Sequence, residues 1–202
     1  AGKAAVTGGG KWSKNPTKAF KAVAKKLAEG GAMEVVVRIA AGTYEGDLGS
    51  GAFTLPQWKN AEADLTLSGG WSEDFGTRDP FGTPTRFAAN KNRSAPLLKF
   101  PVSTPRNQCE SKSLVLDGIL LDATGSNAYD EKTNCLLKGA SSTFVLIKFQ
   151  YFMTDRLAIR NCVFLTSPHR AFETLIRSKS DQTEIHLENN LFFNCVIPVK
   201  VD

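Results

Sequence analysis

The sequence predicts an all-β chain, built as a stacked parallel β-solenoid of about six coils and closed at its N-terminal end by one α-helix. Three observations predict it. Short apolar segments ending in Gly or Asn recur along the chain, polar turn clusters separate them, and only one stretch carries helix signals.

The first fourteen residues, AGKAAVTGGGKWSK, are small and glycine-rich and are expected to be irregular, leaving residues 15–202 as one domain. Asn15 can cap a helix, Pro16 suits its first position, and Gly30-Gly31 ends it, so a helix is expected over about 16–29. Within it Ala19, Phe20, Val23, Ala24 and Leu27 make one apolar stripe with lysines opposite. Val35-Val36-Val37-Arg38-Ile39 then reads as a strand, and GDLGSG, NKNRS and DATGSN read as turns.

The repeat lies in LTLSGGW from Leu65, LVLDGI from Leu114, LAIRNCV from Leu157 and IHLENNL from Ile185. Their starts are 49, 43 and 28 residues apart. With a unit of roughly 22–28 residues, the first two gaps each hold a missing coil. Leu97–Phe100, Leu136-Leu137 and 144–147 are the segments placed there. Gly69, Gly70, Gly118, Asn161, Asn189 and Asn190 are the expected corner residues, because Gly and Asn adopt the left-handed backbone that other residues resist. Stacked asparagines can also bond from coil to coil. The helix suits the role of a cap over the first coil. The last apparent strand, Val199 to Asp202, carries no such cap, which implies a longer parent chain, a partner or end-to-end assembly.

Composition bounds the function. The net charge is +5, and Lys11, Lys14, Lys18, Lys21, Lys25 and Lys26 fall within sixteen residues. Lacking interleaved aromatics or an arginine fork, they read as a solvated helix face, and no nucleic-acid partner is expected. No apolar run is long enough to span a bilayer, and no signal-peptide core is present, so an exported protein would be seen here in processed form. Cys109, Cys135, Cys162 and Cys195 form no CxxC pair. Cys109 and Cys135, 26 residues apart, are a candidate disulfide between neighbouring coils, while Cys162 and Cys195 read as buried thiols.

VVVRIAAGTYEG, the Leu65–Phe87 stretch, IRNCVF and LENNLFFNC together resemble the right-handed parallel β-helix superfamily, the pectin-lyase-like fold, and its uncharacterised secreted or surface bacterial branch. The resemblance spans roughly residues 15–202. It implies a right-handed, single-stranded helix in a secreted, periplasmic or cell-surface protein. Enzymes of that fold cut acidic polysaccharides, with clustered aspartates for calcium in lyases and paired carboxylates in hydrolases. Their NTD, DD, GHG, RIK and WIDH blocks are missing from this sequence, so no cofactor is expected. The expected role is a noncatalytic structural, adhesive or glycan-contacting module. The alternative is a lyase or hydrolase of an acidic polysaccharide.

Candidate residues follow from residue type and place. Asp117, Asp122, Asp130 and Glu131 flank one coil, Arg156 and Arg160 follow, and His169, Arg170 and Glu173 share a loop where a catalytic group could sit. His186 alternates with Ile185 and Leu187 and should face outward. Trp58, Trp71, Tyr129 and Tyr151 could stack on sugars, Trp58 being the expected exposed one and Trp71 the expected core residue. The excursion SEDFGTRDPFGTP after Trp71 is longer than a corner requires. Its Asp74, Arg78 and Asp79 are candidates for ligand contact or for pinning the loop. GGGKWS lacks P-loop spacing, and Asp74-Phe75-Gly76 lacks the other kinase motifs. The candidate partners are therefore a polysaccharide or another chain of the same kind.

Overall fold

The computed structural model describes residues 4–7, 16–45, 53–88, 97–100, 109–124, 129–130, 135–136, 145–150, 153–165, 170–175, 183–195 and 197–201. Over these residues the chain is predominantly β-strand, with parallel sheets and one helix.

Helix α1 (Pro16–Leu27) begins at its proline and buries Ala19, Phe20, Val23, Ala24 and Leu27. Lys18, Lys21, Lys25 and Lys26 lie on its exposed side. It stops short of residue 29, and Gly30 and Gly31 follow with φ of 79° and 80°. Asn60 fixes this end, donating from Nδ2 to the carbonyls of Leu27 (3.1 Å) and Gly31 (3.0 Å). Part of the segment expected to be irregular is ordered. Residues Ala4–Thr7 form β1, antiparallel to β2 (Met33–Ala40), where they satisfy backbone groups that β2 would otherwise leave unpaired.

From β2 onward the chain visits three sheets in rotation. The first pass is β2, β3 (Gly42–Glu45) and β4 (Phe53–Thr54), and the second is β5 (Lys59–Trp71), β6 (Thr85–Ala88) and β7 (Leu98–Lys99). The third pass opens with β8 (Glu110–Asp117) and β9 (Ile119–Asp122). A side hairpin of β10 (Tyr129–Asp130) and β11 (Cys135–Leu136) follows, and β12 (Val145–Gln150) completes that pass. The fourth is β13 (Arg156–Arg160), β14 (Val163–Leu165) and β15 (Arg170–Leu175). The last is β16 (Glu184–Glu188), β17 (Leu191–Phe193) and β18 (Ile197–Val201). Strand order is β1-β2-β5-β8-β13-β16 in the first sheet, β3-β6-β9-β14-β17 in the second and β4-β7-β12-β15-β18 in the third.

Among the described residues there are five passes where about six coils are expected, and the reason is the unequal length of the connections. Val35, Leu65, Leu114, Leu157 and Ile185 lie side by side in the first sheet, so the 49- and 43-residue gaps each hold one pass. The segments assigned to missing coils belong elsewhere: Leu98–Lys99 and Val145–Gln150 are third-sheet strands, and Cys135–Leu136 sits in the hairpin. Inward side chains of the three sheets share one core, with Phe53 stacked on Phe87 at 4.4 Å and Phe164 on Phe192 at 4.7 Å. Trp58, expected to be exposed, is 3 % exposed and part of that core. Cys109 is buried as a thiol and is not half of the expected bridge to Cys135.

The corner between the first and second sheets repeats. Gly70, Gly118, Asn161 and Asn189 hold φ of 77°, 69°, 53° and 50° there. Asn189 Nδ2 donates to Asn161 Oδ1 (2.8 Å), and Asn161 Nδ2 donates to Asp117 Oδ1 (2.9 Å), so the ladder holds two of the three expected asparagines and ends on an aspartate. Asn190 stands one place further on, beside Cys162. It accepts from the Cys162 N–H (3.0 Å) and donates to Ile159 O (2.8 Å). The inward position after the corner is held by Thr85, Ile119, Cys162 and Asn190 in register, not by Trp71. The loop from Trp71 to Pro84 is inserted at that point and pushes Trp71 out to a half-buried place, where Arg38 lies 4.4 Å over its ring.

A Cβ at Gly69 would stand 2.4 Å from Gly118 O and 2.9 Å from Thr85 Cβ, whereas one at Gly30 would meet nothing within 4 Å. Gly69→Ala should therefore cost about 2–3 kcal/mol of unfolding free energy from overpacking. Gly30→Ala should cost only about 1 kcal/mol, from its left-handed backbone. Urea unfolding of the two variants checks the order, and equal losses would contradict the close stacking of these corners.

Candidate functional site

The densest polar cluster lies where the excursion loop folds back over the corner between the first and second sheets. The loop is held at both ends. Its Asp79 N–H donates to Gly70 O (2.8 Å), and Trp71 bridges Arg78. Inside it, Asp74 accepts from Ser72 Oγ (2.6 Å) and from the Gly76 N–H (3.1 Å). These two bonds, the hydroxyl first, hold the fully exposed Asp74 carboxyl below its ordinary pKa. Asp79 accepts from the Gly82 N–H (2.8 Å), and its carbonyl from Thr83 Oγ1 (3.0 Å). Asp74 and Asp79 are thus turn-forming groups. Phe75 tucks against Ala40 and Trp71 beneath the loop.

Arg78 links this loop to the sheets. Its Nε donates to Gly69 O (2.9 Å) and its Nη2 to Asp117 Oδ1 (2.6 Å). Asp117, 4 % exposed, receives two further bonds, from Arg160 Nε to Oδ2 (3.0 Å) and from Asn161 Nδ2 to Oδ1. Burial pushes the Asp117 carboxyl up. The bonds from Asn161 and Arg78 and the charges of Arg78 and Arg160 outweigh burial and hold it below the ordinary carboxylate range. Three ionisable groups therefore converge, but both carboxylate oxygens are occupied and the group stays ionised. Such a carboxylate is a poor proton acceptor and supplies no acid. Asp122 is consumed in the same way, taking two bonds from Arg86 and one from the Thr124 N–H (2.7 Å).

The other candidates are scattered. Trp58 is in the core, far from the role of an exposed sugar platform. His169, Glu131 and Tyr151 lie outside the described residues. Arg170 and Glu173 fall on β15, where Arg170 is in register with Val145 and Ile197, and Glu173 with Lys148 and Lys200. The two are thus strand positions in the third sheet, away from the Asp117 corner. His186 is exposed as expected, with Nε2 3.1 Å from Glu184 Oε2. Burial pushes the thiols of Cys109 and Cys162 up to about 12, so neither is a ready nucleophile. Among the described residues, no three His, Cys, Asp or Glu side chains gather as cation ligands, and no helix is long and apolar enough to cross a membrane.

Residue type alone did not reveal the outer face of the first sheet. Three rows run across its strands. Glu34, Asp64, Ser113, Arg156 and Glu184 form one, and Arg38, Ser68, Asp117, Arg160 and Glu188 form another. Between them lie Val36, Thr66, Val115, Ala158 and His186, shorter and mostly uncharged. The signal was available as the charged residue just before each corner, in LDG, IRN and LEN. No protein-family model, curated protein or solved structure matches the chain.

The Asp117 clamp has a pH signature. Because its folded pKa is depressed, its contribution to stability is complete above the unfolded value of about 4 and is lost as pH falls through the folded value. At neutral pH Asp117→Asn should lose about 2 kcal/mol, the scale of hydrogen bonds to a charged group. The gap between wild type and variant should close on acidification below about pH 4. Denaturant unfolding across pH reads this, and a constant gap would mean that the carboxylate does not titrate with folding.

Proposed function

We propose that the three sheets are the faces of a right-handed parallel β-helix of the pectin-lyase-like kind, and that the protein is an exported, noncatalytic module contacting an extended glycan. The observation that carries this reading is the outer face of the first sheet, a low central row flanked by two polar rows. Strands repeat every ~4.8 Å across it, so a polymer laid over the strands meets the same three-row cross-section at each step. The half-buried Val36, Thr66 and Val115 offer an apolar floor, and the flanking rows offer donors and acceptors for sugar hydroxyls.

The polar groups of this face support binding over catalysis. Asp117 is clamped between two arginines, and Asp64 accepts a bond from Ser113 Oγ and faces Lys112 Nζ at 3.9 Å. Arg38 rests on Trp71, and its Nε has no hydrogen-bond partner. General acid–base chemistry would need a carboxyl or imidazole held near neutrality and within reach of a reacting atom.

Glycan-array binding with and without a chelator tests the proposal. Binding should persist in chelator. Thr66→Arg, which raises the floor of the central row, should weaken it at least about tenfold. Release of unsaturated products from an acidic polysaccharide would overturn the noncatalytic reading. Failure to bind any glycan would overturn the glycan-contacting one.

A further inference from the structure

The two ends of the sheets are finished differently. At the first pass, β1 pairs the edge of the first sheet, and α1 lays its apolar stripe against the core. At the last pass, β16, β17 and β18 are the terminal strands of all three sheets among the described residues. Among the described residues, four of the five exposed large apolar side chains are also there: Leu187 (41 %), Leu191 (54 %), Phe193 (62 %) and Ile197 (37 %). Leu187 continues the inward row of Val37, Leu67, Leu116 and Ile159, all of them buried, so its exposure marks where the core ends. Leu191 and Phe193 stand on the outer side of β17 at the rim.

We propose that this end face is an interface with a second copy of the chain, related by a two-fold axis through Ile185, with β16 antiparallel to its counterpart. This rests on reading the three sheets as one β-helix, because only then do the last strands frame a single end.

The backbone sets which registers can bond. The Glu184 N–H donates to Asp155 O, and Glu188 O accepts from the Asn161 N–H, so residues 184, 186 and 188 turn their backbone groups toward β13. By alternation, Thr183, Ile185 and Leu187 turn theirs to the free edge. Registers centred on Glu184, His186, Leu187 or Ile185 join such groups. Centred on Glu184, the pairing sets Glu184 against itself. Centred on His186, the pairing sets Glu184 against Glu188, and like charges directly opposite are destabilising. Centred on Leu187, it opposes Ile185 to Asn189, whose φ of 50° ends the strand. Centred on Ile185, it bonds Ile185 to itself and Leu187 to Thr183, and it sets Glu184 of each copy opposite His186 of the other. This last register alone matches both charge and backbone. Head-to-tail stacking is disfavoured because α1 occupies the other end, whereas a two-fold contact closes both open ends at once.

Sedimentation equilibrium should show a dimer at high protein concentration. Leu187→Glu should return it to a monomer with an unchanged circular dichroism spectrum. The register is read independently of that variant. Opposed residues in a non-hydrogen-bonded pair have Cα atoms about 4.5 Å apart, within disulfide range. The Glu184→Cys/His186→Cys double variant should therefore oxidise to a covalent dimer, while each single variant should not. A wild type that stays monomeric, a dimer that persists in a well-folded Leu187→Glu, or cross-linking of the single variants as strong as that of the double would each overturn the proposal. The β-helix reading stands or falls separately, on the Gly69 and Gly30 variants.

Discussion

From the second pass onward, each pass leaves the first sheet through the same left-handed corner, and the stacking of the passes on one core depends on it. That backbone costs an ordinary residue roughly 1–2 kcal/mol, and two residue types meet the cost differently. Gly70 and Gly118 carry no Cβ to clash, while Asn161 and Asn189 recover part of the cost by bonding to the neighbouring pass. The choice follows from what lies above. A Cβ at Gly70 would stand 2.4 Å from Pro80 Cα, and one at Gly118 would stand 2.5 Å from Arg78 Nη2. Where the excursion loop covers the corner, only glycine fits; where it does not, asparagine builds a ladder. Loop and corner are one design.

Asp117 is where that design turns electrostatic. The glycine pair gives way to the asparagine pair at this pass, and one buried carboxylate accepts from both sides, Arg78 from the loop and Asn161 from the ladder. Burying an ion without partners would cost several kcal/mol, so the convergence of two arginines is what allows a carboxylate here at all. The same satisfaction removes it from chemistry. A cluster of ionisable groups in an unfamiliar protein invites a catalytic reading, and the test is whether any lone pair is left over. Here the loop, the ladder and Arg160 together place three donors on the two oxygens, and the carboxylate is held ionised.

How much of this was legible in the sequence depended on how local the cause was. The helix was, since Pro16 and Gly30-Gly31 act on their own neighbours. So were the corners, because Gly118, Asn161 and Asn189 are demanded by backbone conformation at the site itself. The number of passes was not, because connections of very different length hide a constant strand register. Trp58 was misjudged for a similar reason. Its flanking Gln57 and Lys59 are exposed, but Trp58, just before β5, packs its indole into the core. Trp71 fails in the opposite sense. The repeat pattern gives it the inward place, and the insertion after it hands that place to Thr85, which bonds the carbonyls of Ile39 (2.9 Å) and Ala40 (3.0 Å) from within.

The asymmetry of the two ends follows from the same accounting of backbone and apolar groups. A stack of parallel strands always ends in a row of unpaired N–H and C=O groups and a cross-section of core. At the first pass these are separate problems with separate answers: β1 serves the backbone, α1 serves the core, and Asn60 ties the helix to the second pass. At the last pass β16, β17 and β18 are the terminal strands among the described residues, and Leu187, Leu191, Phe193 and Ile197 are exposed there. Fully burying an apolar side chain is worth about 1.5–3 kcal/mol, but an end face alone is not specific. Specificity has to come from the edge of β16, where alternation fixes which backbone groups face out and Glu184 and His186 fix which register they can use. An open apolar end without that edge would be an aggregation site; with it, the end becomes an address.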